Sequence, residues 1–281
     1  MPGITSATMQ FDVIASGYGL VEGPTIAPDG GVYFSDVLGG GVYRAQPSGE
    51  IDTVVPKRRG VGGIAVHAAG GVVCSGRDIV HVADGATTTL FDGDGILGWN
   101  DLCTDAQGRV YAGSLRFAVF DRDATAVPGE CWRIDGPDTA TELYGDVVHA
   151  NGIALSPDGR TLYHSDTRAG TVIVHSLSDD GTPSERRTID TSAYAAPDGM
   201  ALDDDGCVWI ALLEYGIGRF TPDGVLDRRV EVPSTLTTSV CFDGSDLYVA
   251  TANHTGDPTL RGCLLRTQVD ATGAPVFPAR V

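Results

Sequence analysis

Four oxygen-bearing side chains stand at equivalent places in this 281-residue chain. Glu22, Asn100, Asn151 and Asp198 each lie eight residues before a turn glycine: Gly30, Gly108, Gly159 and Gly206. The same count from Gly70 and Gly244 reaches Gly62 and Leu236. If these six positions converge in space, two carboxylates and two amides meet at one point, and such a buried group needs partners or a cation. Two negative charges with neutral amide oxygens match one divalent ion. The oxygen-rich set leans toward Ca2+ or Mg2+, with Zn2+, Mn2+ or Fe2+ as further candidates. The alternative is that these residues only cap strands, as Asn and Asp often do through bonds to nearby backbone.

The element that positions them is a repeat. The segments TIAPDGGVYFSD from Thr25, GIAVHAAGGVVCSG from Gly63, DLCTDAQGRVYAGS from Asp101, GIALSPDGRTLYHSD from Gly152, GMALDDDGCVWIAL from Gly199 and SVCFDGSDLYVATA from Ser239 share one pattern. Each runs as an apolar strand, a turn carrying glycine and a second strand rich in β-branched and aromatic residues. A weaker strand pair follows most copies, as in GGVYRAQPSG then EIDTVV. The spacing of about 40 to 50 residues is that of a four-stranded blade rather than of a helical repeat. The predicted fold is all-β, a six-bladed β-propeller with four antiparallel strands per blade, forming a single domain over 1–281. The segment Met9 to Ile14 is expected to close the ring as a strand of the last blade. Because the innermost strand of each blade runs along the central tunnel, residues at its start gather at one mouth.

The third unit carries an extra stretch, 116–130, between its second and third strands, a candidate lid. Arg116 there offers a cation. Trp99, Leu115, Phe117 and Phe120 offer apolar surface, and His149 and His254 could reach the mouth as acid, base or donor. Core packing is the competing role for each aromatic, and a hydrogen-bonded structural role for each histidine. Asp36 and Ser165-Asp166 should come close behind the ligands, either to orient them or as solvent-facing turn residues.

At this point the residues carry a resemblance. EGPTIAPDGGVYFSD, WNDLCTDAQGRVYAGS, NGIALSPDGRTLYHSD and PDGMALDDDGCVWIA resemble the family of senescence marker protein 30, gluconolactonase and luciferin-regenerating enzyme, in order and over nearly the whole chain. The resemblance implies one divalent metal ion (Ca2+, Zn2+, Mg2+ or Mn2+) on Glu22, Asn151 and Asp198, with Asn100 as a further ligand. It implies hydrolysis of a lactone or related cyclic ester, with Asp198 as general base. Candidate substrate contacts are Asn100, Trp99, Arg116, Phe117 and His149. The family commonly has arginine two residues before the third-unit asparagine, where this chain has Gly98, so the expected substrate is less polar than a sugar lactone. A non-catalytic metal- or ligand-binding propeller is the alternative from another class, and a phosphotriesterase or lyase using the same mouth is a third.

Composition excludes other classes. A formal charge of −18 and the lack of any Lys/Arg run argue against nucleic acid and anionic membranes as partners, leaving a small-molecule substrate. No stretch approaches the ~20 apolar residues of a membrane span, and the MPGITSATMQ start shows no basic-then-apolar leader pattern, so a cytoplasmic protein is expected. Six cysteines without a CxxC pair read as buried free thiols. No GxSxG elbow or ordered Ser, Asp and His set supports a serine hydrolase.

Overall fold

The computed structural model describes residues 9–281, and the first eight residues of the amino-terminal stretch lie outside the described part. Six separate four-stranded antiparallel sheets form the six blades of a β-propeller. Blade 1 runs through Val21–Ile26, Val32–Asp36, Gly41–Ala45 and Ile51–Pro56, from the axis outward. The inner strands of blades 2 to 6 are Ile64–Val66, Gly98–Thr104, Ala150–Leu155, Met200–Leu202 and Thr237–Asp243. The ring closes as the sequence predicts: Asp12–Tyr18 pairs with Gly262–Gln268 as the outermost strand of blade 6, a few residues later than the Met9 to Ile14 estimate. Among the described residues no helix is long and apolar enough to cross a membrane.

The core is radial. Alternation along each strand sends successive side chains to opposite faces of its blade, and each face packs on a neighbouring blade. In Val208–Leu212, Val208, Ile210 and Leu212 join a cluster with Val172, Val174 and Ile189 of blade 4. Trp209, between them, faces the other way into a cluster with Val240, Leu247 and Val249 of blade 6. Equivalent clusters fill the other seams. At roughly 25 cal/mol per Å2 of apolar surface removed from water, these six seams hold the inner strands at fixed angles about the tunnel.

The turn joining the first two strands sets the register. In blade 1, Ile26 pairs with Val32 across five residues, and Gly30 sits at φ 84°, a conformation that disfavours any side chain although the space around it is open. In blade 6, Phe242 pairs with Leu247 across only four residues, and Gly244 comes two places earlier in the turn. The count of eight therefore slips there. Thr238, not Leu236, stands four residues before the turn pair, as Glu22 does in blade 1. This corrects the sixth position.

After the last strand the chain crosses the face that carries these turns. Ala274 N–H bonds to Leu202 O at 2.9 Å in blade 5, the Thr104 hydroxyl of blade 3 donates to Phe277 O, and Ala279 N–H bonds to Val66 O at 2.8 Å in blade 2. Nothing in the repeat pattern signalled this strap.

Candidate functional site

Just inside the opposite face, the ring of equivalent positions reads Glu22, Gly62, Asn100, Asn151, Asp198 and Thr238. The inner strands are irregular at these points. Pairing is interrupted between Glu22 and Thr25, Trp99 and Leu102, Ala150 and Ile153, and Thr237 and Ser239. A bulge of this kind turns a side chain out of the regular alternation, here away from the inter-blade seams. In blade 5 the ladder begins only at Met200, and Asp198 is fixed by its N–H bond to Ala211 O at 2.8 Å.

The blades are stitched to one another at this level. Ser35 Oγ donates to Val61 O at 2.6 Å, Ser165 Oγ to Asp198 O at 2.8 Å, and Thr238 Oγ to Val21 O at 2.6 Å. Gly62 has its own reason: a Cβ there would lie 2.0 Å from Asn100 Oδ1. A side chain at Gly62 would displace the asparagine. Both amides place their nitrogen on the protein, Asn100 Nδ2 donating to Ala150 O at 2.9 Å and Asn151 Nδ2 to Thr167 Oγ at 3.1 Å. That use of the nitrogens leaves the amide oxygens available. Thr167 Oγ in turn donates to Pro197 O at 2.8 Å, tying the Asn151 support to the residue before Asp198.

Electrostatics single out the carboxylates. Burial, then Asp198, then Asp101 raise the Glu22 carboxyl well above its usual range, against the Gly23 N–H. Burial and then Asp101 raise Asp198 likewise, against the Gly199 N–H and the Asn151 side chain. Asp198 Oδ1 is buried without a hydrogen-bond partner. Asp101, next to Asn100 and not singled out by the sequence, is pushed up to about 7 by burial, with the Leu102 and Ile153 N–H groups acting the other way. Three neighbouring carboxyls are thus short of positive charge, which disfavours ionising all of them. A divalent cation would relieve this, and the donor set fits one: two carboxylates and two amide oxygens, hard ligands of the kind Ca2+ or Mg2+ prefers. Among the described residues no group of three or more His, Cys, Asp or Glu forms a metal cluster; the set here depends on asparagine.

A cavity lies below this ring. It has a volume of about 800 Å3, reaches from Gly23, Asp101 and Ile153 down to Val276 and Phe277 of the carboxy-terminal strap, and belongs to the tunnel. Asp101 lines both levels and is the link between them.

The remaining predicted residues separate into groups. Trp99 is 1% exposed, donates its indole N–H to Asp92 O at 3.1 Å and packs on Phe91 and Trp132. The structure thus places it in the seam between blades 2 and 3, the core-packing role that competes with a substrate contact. Arg116 is turned to Glu130, 2.6 Å away, which also accepts from Ser114. Phe120 is 66% exposed in the inserted loop. Phe117 is buried, with its ring 6.2 Å from His149. Burial lowers the His149 imidazole, Asp166 opposes this and Arg168 adds to it. His254 accepts from Asp257 N–H within its own loop. Asp36 and Asp166 stand behind the ring as expected. Asp166 accepts from the N–H groups of Val148, His149 and Ala169, which fixes the chain entering Asn151; Asp36 does the same at Gly19, Leu20 and Gly39.

Residues 20–253 match the family model described as SMP-30/Gluconolactonase/LRE-like region. The chain belongs to this family. It is 31% identical to the 6-deoxy-6-sulfogluconolactonase of Pseudomonas putida, over 88% of this chain and 90% of that one. It is 29% identical to the pentonolactonase of Haloferax volcanii, over 93% and 95%. Among solved structures, the calcium-binding protein regucalcin of Agrobacterium tumefaciens superposes with a TM-score of 0.84 at 22% identity, covering 98% of each chain, a likeness of fold. Within the SMP-30/gluconolactonase fold, Glu22, Asn100, Asn151 and Asp198 of this member occupy four different blades of the ring.

Proposed function

We propose that the protein is a divalent-metal-dependent lactonase that opens a cyclic ester at the mouth of its tunnel. The observation that carries this reading is the buried, uncompensated pair Glu22 and Asp198, one of whose oxygens has no partner. The names of the lactonase relatives support the substrate class. Glu22, Asn100, Asn151 and Asp198 would hold the ion, which when bound supplies Lewis-acid polarisation of the ester carbonyl. Thr167 and Asp166 keep the Asn151 side chain and the backbone before it in place. Asp198 accepts the proton of the attacking water through an oxygen that the protein leaves without a donor. His149 stays neutral beside the site and can donate or accept a hydrogen bond. The leaving alkoxide takes a proton as the ring opens, and the product is a hydroxy acid. A less polar substrate draws no support from Trp99, buried in the seam, or from Phe120, exposed to solvent. Six free cysteines fit a reducing compartment, the cytoplasm.

The test is metal analysis of the untreated protein combined with a lactone hydrolysis screen before and after chelation. About one equivalent of a divalent ion, loss of turnover on its removal and recovery on its return are expected. Undiminished hydrolysis by protein stripped of metal would refute the metal-dependent reading.

A further inference from the structure

Ion pairing of the arginines varies over the surface, and on the turn face Arg187, held to Pro222 O, and Arg280, beside Gly108, make no salt bridge. On the face carrying the turns, Arg44, Arg109, Arg133, Arg160 and Arg219 each form an ion pair with an aspartate. In the connections on the mouth side, Arg58 and Arg116 are paired. Lys57, Arg59, Arg77, Arg122, Arg168 and Arg261 lie in the same connections and make no salt bridge among the described residues. In a chain of net charge −18, long-range repulsion acts on any approaching anion, and the same connections also hold Asp92, Asp94, Asp121, Asp123, Glu214 and Asp257, so only a cation placed beside the site can favour an anion there.

Arg168 is the one of these that contacts connect directly to the ring. It follows Thr167, whose hydroxyl accepts from the Asn151 side chain at 3.1 Å. Its guanidinium lies 5.6 Å above the centre of the Phe117 ring, and that ring lies 6.2 Å from His149. The nearby Asp166 carboxylate is buried, accepts from three N–H groups and makes no salt bridge with the guanidinium. Stacking on an aromatic face pre-orients a guanidinium while leaving its edge N–H groups free for a planar anion.

We propose that Arg168, held over Phe117 beside His149, binds an anionic substituent of the substrate, so that the preferred lactone carries a free carboxylate or similar oxyanion away from its ester carbonyl. This rests on the lactonase reading and narrows it. The bond is charge-assisted and partly exposed to solvent, so it weakens as salt is added.

The experiment compares the metal-loaded protein on a matched pair, glucarolactone, with its free carboxylate, and gluconolactone, with a hydroxymethyl group in its place. The wild type is expected to have the higher kcat/KM for glucarolactone, a preference that shrinks with ionic strength. Arg168→Gln should lower the ratio of the two kcat/KM values about tenfold, mainly through KM of the anionic lactone, and Arg168→Lys should keep part of it. A merely structural role would lower both substrates together and leave the ratio unchanged; that result, or a wild type preferring gluconolactone, overturns the proposal. If neither lactone is opened, the lactonase reading fails by itself. Calorimetric binding of the open-chain dicarboxylate glucarate then decides the anion site: weaker binding by Arg168→Gln supports it, and equal or absent binding refutes it.

Discussion

Asp198 and Asp203 lie five residues apart, at opposite ends of one inner strand, and both are buried. Asp203 accepts from Cys207 N–H at 2.9 Å, Trp209 Nε1 at 2.8 Å and Arg219 Nε at 2.7 Å, so its charge is matched by donors the fold supplies. Asp198 keeps an oxygen with no donor, faces other carboxyls rather than an arginine, and holds its proton more tightly for it. Burial alone therefore does not mark a functional carboxylate. What distinguishes them is whether the protein completes the electrostatics, and at the mouth it does not.

The largest expected effects test that contrast directly. Asp198→Asn should leave the protein folded, raise the melting temperature of the metal-free form by removing a buried charge, and lower kcat/KM by about 10^3 through loss of the base and of an anionic ligand. Asp203→Asn should instead cost about 3 kcal/mol of stability, because Arg219 is left with its more exposed partners Asp205 and Asp227. Urea denaturation and steady-state kinetics on both variants would break the comparison if the two effects were exchanged.

Trp99 sharpens the same contrast between wall and mouth. Trp99→Ala should lose about 3–5 kcal/mol, as truncation of a large core aromatic does, with KM for any lactone little changed. A large rise in KM at unchanged stability would return Trp99 to the mouth.

The next effect is a pH dependence. Asp101 binds its proton more tightly in the fold, up to about 7, than the ordinary value of 3.8, so the folded state favours the protonated form. Its contribution to stability is complete below about pH 4 and is lost as pH rises through about 7. Glu22 and Asp198, raised in the same direction, act alike. The melting temperature of chelated protein should therefore fall across this window, and the stabilisation by added divalent ion should grow with pH. A flat profile without metal would contradict the crowding of carboxyls at the ring.

The smallest effect is expected on the turn face, where Arg160 and Asp179 pair at 2.8 Å with 64% and 86% of their side chains exposed. Asp179→Ala should change stability by no more than about 0.5 kcal/mol, since solvent screens such a pair.

The repeated strand–turn–strand pattern was enough to specify six blades, because hydrophobic alternation and turn chemistry are local properties that each unit carries in its own residues. The same local count placed Glu22, Asn100, Asn151 and Asp198 at equivalent positions. It failed in blade 6, where a shorter turn moved the ring position from Leu236 to Thr238 without changing the look of the motif. The role of Asp101, the Trp99 seam, the carboxy-terminal strap and the freedom of Arg168 were decided only by folding. Each depends on which neighbour from a distant part of the chain arrives beside it, and charge matching, burial and orphaned donors or acceptors are properties of that assembled neighbourhood rather than of any segment.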